Sequence, residues 1–461
     1  MDTLSSTVYP DNPYIYTNYD EDYRGQYHFS SQSGWMNDIN GLWHYNGIYH
    51  LTYQNNPHGV TANYPADPMH WGHATSTDLI HWVQQPVILE PGVNVPGDCW
   101  SGSTVVDTDN DSGLKTGFNP VLVTLYTATK EGTCIAYSND LGTTWQGYPG
   151  NPVLAGDTFP RDPRIFWHEK TGKWIMVLFQ GSSYASGVTF YTSTDLKNWI
   201  FASNFDWGVI ECPDMYELAV DGNQKNKKWV LQSALGGYYI GSFDGRTFTP
   251  DPGGPYCMDV GPDFYASSTF YRGTFPDNRV VQIAWLGRGT GIETPVFRKG
   301  ATFPVELQLK TYPEGIRLAR TPISEIAGIY GTVRHWDTQA IAPGGVLLSE
   351  IRSKCFDISA EFDVSGTNAT HISFNIANKT VSYDISGRTL LDNPLNPLHN
   401  RIKIRMLVDW GQLEVFGNDG FLSWSESFGF TPDDDTLSLT TDGNITLVSM
   451  DYRNINRVWP S

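Results

Sequence analysis

Ser138-Asn139-Asp140-Leu141-Gly142-Thr143-Thr144-Trp145 is a polar turn closed by a large aromatic residue, and it recurs along the chain. Ser76-Thr77-Asp78-Leu79-Ile80-His81-Trp82 and Ser193-Thr194-Asp195-Leu196-Lys197-Asn198-Trp199 repeat it, and Ser242-Phe243-Asp244-Gly245-Arg246-Thr247-Phe248 repeats it more loosely. From aromatic to aromatic the steps are 63, 54 and 49 residues, close to the period of propeller blades built from four strands. Between the turns, 45 Gly and 28 Pro are spread through short runs of Val, Ile, Tyr, Phe, Trp and Thr. No long segment carries a 3.6-residue apolar period, so the chain reads as all-β.

A second signal runs in phase with the first. Strand–turn–strand hairpins recur at Gly41–Leu51, Ile165–Val177 and Met215–Leu231, each just after an acidic residue: Asp38, Asp162, and Glu211 or Asp214. Asp38 and Asp162 are 124 residues apart, about two blades, and Asp162 and Glu211 are 49 apart, about one. Equivalent positions of successive blades face one axis, so these acids are expected to converge at one end of a central channel. A fifth unit is expected from Asp263 through Leu286, with the blades ending near residue 315. The segment from Thr321 to His335 reads as a linker, with one short helical turn at Ile323–Ile326. Beyond it, period-two strands such as Phe356–Val364, Ile402–Val408 and Ile445–Asp451 read as a β-sandwich. The expected organisation is an extension over 1–24, a five-bladed β-propeller over 25–320, a linker over 321–335 and a C-terminal β-sandwich over 336–461.

Composition narrows the function. The 461 residues carry 30 Lys+Arg against 49 Asp+Glu, a net charge of −19. Such a surface repels phosphate backbones and anionic lipid head groups, which argues against nucleic-acid and membrane partners. No apolar run has the length of a membrane span, and the opening Met1–Ser6 lacks a signal peptide's basic and apolar regions. An intracellular or already processed chain is expected. Four acceptor sequons, at Asn110, Asn368, Asn378 and Asn444, favour a secreted glycoprotein. The five cysteines, Cys99, Cys134, Cys212, Cys257 and Cys355, form neither a disulfide framework nor a CxxC metal site. Neither metal nor cofactor is expected, and oligomeric state is open.

Three converging acids flanked by tryptophans point to glycosidic bond cleavage, in which one carboxylate attacks or activates water and another protonates the leaving oxygen. Acids at strand starts also form turns, so spacing alone leaves both readings open. The local sequences decide between them, because they resemble glycoside hydrolase family 32, the invertases, inulinases, levanases and related fructosyltransferases. Trp35-Met36-Asn37-Asp38-Ile39-Asn40-Gly41 is similar to the family's WMNDPNG box, Gln54-Asn55-Asn56-Pro57 to QxNP, Trp71-Gly72-His73-Ala74 to WGHA and Trp100-Ser101-Gly102-Ser103 to FSGS. Arg161-Asp162-Pro163 matches RDP and Glu211-Cys212-Pro213-Asp214 matches ECPD, while Gly261–Ala266 and Leu413–Phe416 match the last blade and the sandwich.

The resemblance implies a retaining β-fructofuranosidase that cleaves terminal or internal β-fructosyl linkages of sucrose, inulin or levan through a fructosyl-enzyme. Asp38 would be the nucleophile, Glu211 the acid/base and Asp162 the transition-state stabiliser, with the Asp38 and Glu211 carboxyls roughly 5–5.5 Å apart. It places Trp35, Asn37, Gln54, Trp71, Trp100, Ser101, Arg161 and Trp285 around the sugar. Elementary electrostatics adds that Arg161, Asn37 and Gln54 keep Asp38 ionised, that Asp162 stays charged beside Arg161, and that the donor needs a raised pKa. Trp82, Trp145 and Trp199 are expected in blade cores, His73 as a structural hydrogen bonder and Asp214 behind the site. A fructosyltransferase with the same residues is the first alternative and a non-catalytic sugar-binding propeller the second. Two departures stand out: Ile39 replaces the family's Pro, and Ala66, with Tyr64 nearby, stands where a fructose-contacting Trp is common. Either Tyr64 takes that Trp's place or the pocket is wider and less selective than usual.

Overall fold

The computed structural model describes residues 18–62, 67–156, 160–181, 187–208, 211–287, 294–429 and 433–459. Tyr64 and Ala66 lie outside the described residues. Five antiparallel blades follow one another. The first is Gly34–Tyr45, Ile48–Asn56, His70–Ser76 and Val83–Leu89, and the second Cys99–Asp107, Val121–Ala128, Gly132–Ser138 and Gln146–Gly147. The third is Arg161–His168, Lys173–Phe179, Gly187–Ser193 and Ile200–Asp206. The fourth is Asp214–Val220, Asn223–Gln232, Gly237–Phe243 and Phe248–Pro250. The fifth is Phe264–Thr269, Val280–Leu286, Val305–Tyr312 and Gly315–Pro322, so it ends past the expected residue 315. A short strand, Phe297–Arg298, runs parallel to Gly34–Trp35 and joins the fifth-blade region to the first blade.

The repeated turn owes its form to its aspartate. Asp78 Oδ1 accepts the backbone N–H groups of Ile80 (2.9 Å) and His81 (2.8 Å), and Asp195 Oδ1 does the same for Lys197 (3.0 Å) and Asn198 (2.7 Å). The next residue, Leu79, Leu141 or Leu196, is forced to positive φ (67°, 62° and 60°), and the loosest copy puts Gly245 there, the residue for which that conformation is free of strain. Trp82 and Trp145 close their turns from buried positions, whereas Trp199 is only half-buried.

The first strands of blades one and two, two and three, four and five, and five and one touch around the axis. The approach is tight at Gly41, where a Cβ would overlap the Thr104 hydroxyl. In four of these strands the ladder register breaks at the upper end: between Met36 and Ile39, Trp100 and Gly102, Arg161 and Arg164, and Tyr265 and Ser268. These are β-bulges, which bend a strand and re-aim its side chains. Asp162, Cys212 and Ala266 occupy equivalent places at positive φ (60°, 44° and 44°).

A 3₁₀ turn over Ser324–Ile329 follows the fifth blade. Tyr330–Trp336 then pairs with Ile445–Ile455, so the sandwich starts at Tyr330, inside the segment expected to be linker. One sandwich sheet centres on Ile445–Ile455, Cys355–Asp363 and Arg401–Asp409, the other on Leu437–Thr441, His371–Ile376 and Lys379–Asp384. Phe356, Ile358, Phe374 and Leu439 share the core between them. Buried carboxylates fix the sandwich to the propeller: Asp263 Oδ2 accepts the Ser427 N–H and hydroxyl (both 2.7 Å), and Asp259 accepts the Ser425 N–H (3.0 Å) while paired to Arg320 (2.6 Å).

Candidate active site

The bulged ends of the first and third blades' first strands, and the residues just ahead of the fourth blade's first strand, bring Asp38, Asp162 and Glu211 into one pocket of about 380 Å³, with Asn37, Gln54, Met69, Trp100, Arg161 and Tyr265 on its walls. Clefts of about 910 and 600 Å³ lie elsewhere and contain none of the three acids.

Asp38 sits on the first bulge and is half-buried. Its Oδ2 accepts the Ser101 hydroxyl (2.6 Å), the Cys212 thiol (3.2 Å) and, at 3.5 Å, the Gln54 amide, and its Oδ1 accepts Asn37 Nδ2 at 3.2 Å. Burial pushes this carboxyl above the usual range, and the bonds from Ser101, Asn37 and Cys212 pull it back. Burial and the surrounding carboxylates drive the Cys212 thiol far above its ordinary value, so it remains a neutral donor.

Arg161 does not contact Asp38, contrary to the sequence expectation. Its Nη2 bonds Glu211 Oε1 and its Nε lies 3.5 Å from Asp162 Oδ2. The reason is positional: Arg161, Glu211 and Tyr265 are the residues just before the positive-φ position in blades three, four and five, so their side chains meet. Tyr265 donates its hydroxyl to Glu211 Oε2, leaving both Glu211 oxygens held.

Asp162 is buried, accepts the Cys212 N–H at 3.1 Å, and is raised to about 7 because burial outweighs the neighbouring Arg161. A guanidinium alone therefore does not guarantee its charge, as the sequence reading assumed.

The remaining expected residues divide. Asn37, Gln54 and Trp100 line the pocket. Trp35 and Trp285 stand edge-to-face beside it (6.0 Å), and Trp285 contacts Tyr265 (6.1 Å). Ser101 is buried and serves Asp38 and Gln54 (2.5 Å). Trp71 is not a wall residue: it is fully buried and donates its indole N–H to the Trp100 carbonyl at 3.1 Å, supporting that strand from behind. His73 is buried against His50 (3.0 Å), and burial pushes it down to about 3, a neutral structural ring. Asp214 pairs with Arg164 (2.7 Å) and accepts Thr269 N–H and Oγ1 beneath the site. Tyr265 and the Cys212 thiol are the contributors the sequence reading missed; the blade alignment of Arg161, Glu211 and Tyr265 was the available signal for the first. Among the described residues, no grouping of His, Cys, Asp and Glu could hold a metal ion, all five cysteines are free, and no helix is long and apolar enough to cross a membrane.

Carboxyls gathered under tryptophans on a propeller axis are the equipment of a glycoside hydrolase, and known proteins narrow the class. Residues 28–322 match the N-terminal domain of glycosyl hydrolases family 32 and residues 325–454 match its C-terminal domain. The chain belongs to this family and is a glycoside hydrolase acting on β-fructosides. A levanase of Bacillus subtilis (strain 168) is 37% identical over 496 residues, covering 96% of this chain and 72% of the levanase. An extracellular exo-inulinase of Aspergillus niger is 33% identical over 528 residues, covering 96% of each chain. The crystal structure of an exo-inulinase from Aspergillus awamori superposes with a TM-score of 0.86 at 29% identity, over 96% of this chain and all (100%) of that one.

Proposed function

We propose that the enzyme is a retaining fructanase, acting on levan, inulin and sucrose, in which Asp38 attacks the anomeric carbon of a fructosyl unit while Glu211 protonates the departing oxygen. The fructosyl–Asp38 ester is then opened by water, whose proton returns to Glu211. The observation that carries this reading is the asymmetry of the two carboxyls. Asp38 Oδ2 is crowded by small donors that stabilise a carboxylate, from Ser101 and Cys212. Glu211 is held by longer side chains, Arg161 and Tyr265, which can yield to a substrate. Asp162 takes no proton in the cycle: it hydrogen-bonds sugar hydroxyls as the ring flattens toward an oxocarbenium ion. Asn37, Gln54 and Arg161 supply further hydroxyl contacts, and Trp100, Trp35 and Trp285 an apolar wall. Secretion goes with this reading, supported by the extracellular exo-inulinase relative and the four sequons.

Product analysis after separate incubation with sucrose, inulin and levan tests it. Release of fructose from the polymers is expected; cleavage of none of the three would contradict it, and kestose-type oligomers in place of free fructose would make the enzyme a transferase.

A further inference from the structure

Beneath the catalytic pocket, on the propeller axis, lies a second and much smaller cavity of about 20 Å³. Asn40, Ser101, Asp162, Arg164, Asp214 and Ser268 are among the residues that line it, and each is buried. Asp162 borders both spaces, so it separates the sugar pocket from this chamber. Asn40 is fully buried, yet neither Nδ2 nor Oδ1 of its side chain meets a hydrogen-bond partner among the described residues. An amide buried without partners costs about 1–3 kcal/mol. A polar chamber of one probe sphere, roughly 10–15 Å³ or more, holds one water when two to four polar groups surround it, and this chamber meets both conditions.

We propose that the chamber is a binding site for one ordered water molecule held by the Asn40 amide, and that Asn40 is a positioning residue acting on Asp162 through that water. The water supplies Asp162 with hydration that the bulged strand otherwise denies it. The charged groups facing Asp162 are Arg161 on its own strand, Asp38 and Glu211 from the first and fourth blades, and Arg164 paired with Asp214 below. One cation in contact against two carboxylates above leaves the ionised form in need of a further donor, consistent with a carboxyl raised to about 7.

The proposal rests on the role given to Asp162 above, and two substitutions separate it from mere packing. Asn40→Leu keeps the branched shape but removes both polar atoms, and Asn40→Ala opens room for additional water. If water is the working part, the Leu variant shifts the acid limb of kcat/KM upward by about one pH unit, a tenfold change in the ionised fraction, and the Ala variant less. If Asn40 only fills space, neither variant moves the limb and the Ala variant is the less stable of the two, because Leu packs and Ala leaves a hole; that outcome would overturn the proposal. A high-resolution crystal structure of the unsubstituted enzyme decides even if neither variant folds: a water within hydrogen-bond distance of Asn40 is expected, and an empty or apolar-filled chamber refutes it. Asp162→Asn at undiminished rate would remove the role of Asp162 while leaving the water standing.

Discussion

In the proposed mechanism Asp38 and Glu211 do different chemistry because different neighbours surround them, and their substitutions should separate accordingly. Asp38→Asn removes the nucleophile and should lower kcat by several orders of magnitude whatever the leaving group. Glu211→Ala removes the proton donor; its loss should be much smaller for a fructoside whose leaving group needs no protonation, and azide should restore part of the turnover by intercepting the intermediate. Steady-state rates on sucrose and on an activated fructoside check both, and the opposite pattern would exchange the two roles. Tyr265→Phe deletes one of the two bonds to Glu211 and should cost roughly ten- to a hundredfold in kcat/KM, since one charge-assisted hydrogen bond is worth about 1.5–3 kcal/mol; an unchanged value would make Tyr265 a mere wall residue. Asp38 and Asp162 are neighbours whose charges oppose each other, so they titrate as a coupled pair. Because Asp38 and Asp162 are both raised, the acid limb of kcat/KM should lie above the ordinary carboxylate range. Asp162→Asn, which deletes one neighbouring negative charge, should move that limb to lower pH while lowering turnover. The three acids were legible in the sequence because each sits in a dense local box. The partner of Arg161, the donor role of Ser101 and the burial of Trp71 were not, since each depends on which blades adjoin and on a bulge that only the facing strand defines.

At the scale of the element, the blade is specified by its turn. The Ser-x-Asp turns could be counted from sequence, and the blade period followed, because the aspartate organises the backbone locally, without help from distant residues. Asp140 accepts the Thr144 N–H (2.9 Å) and the hydroxyls of Ser138 (2.8 Å) and Thr144 (2.6 Å). Asp140→Ala should lower stability by about 1–2 kcal/mol with kcat unchanged, read by urea denaturation beside activity; an unchanged urea midpoint would show that the turn does not depend on the aspartate. Blade boundaries were less legible where strands come from afar. The fifth blade draws its outer pair from Val305–Tyr312 and Gly315–Pro322, beyond the loop that carries Phe297–Arg298, so its end was placed early. The sandwich likewise begins with Tyr330–Trp336 because Ile445–Ile455, over a hundred residues on, supplies the pairing.

For the molecule as a whole, a buried histidine ties the chain's ends together. His28, ahead of the first blade, bonds Asp409 through Nδ1 and Glu414 through Nε2, both at 2.9 Å, and Glu414 also accepts the Phe303 N–H (2.6 Å). This explains why the Leu413–Phe416 box was recognisable without being catalytic. The two carboxylates outweigh burial and raise His28 to about 9. A folded-state pKa above the unfolded value of 6.5 means stability present in full below that pH and lost as pH rises through about 9. The melting temperature should therefore fall between these limits, by an amount on the order of a few kcal/mol in stability, and His28→Gln should flatten that part of the profile; an unchanged slope would show that the clasp is neutral in the folded protein. With the propeller and sandwich so fixed, the site depends on one ring of inner strands, four of them bulged, and its central claim is a covalent fructosyl–Asp38 intermediate. The most direct measurement is rapid quenching of Glu211→Ala during turnover of an activated β-fructoside, followed by peptide mass spectrometry. The adduct of one fructosyl residue is predicted on the peptide containing Asp38, and its absence together with release of the inverted anomer would contradict the mechanism.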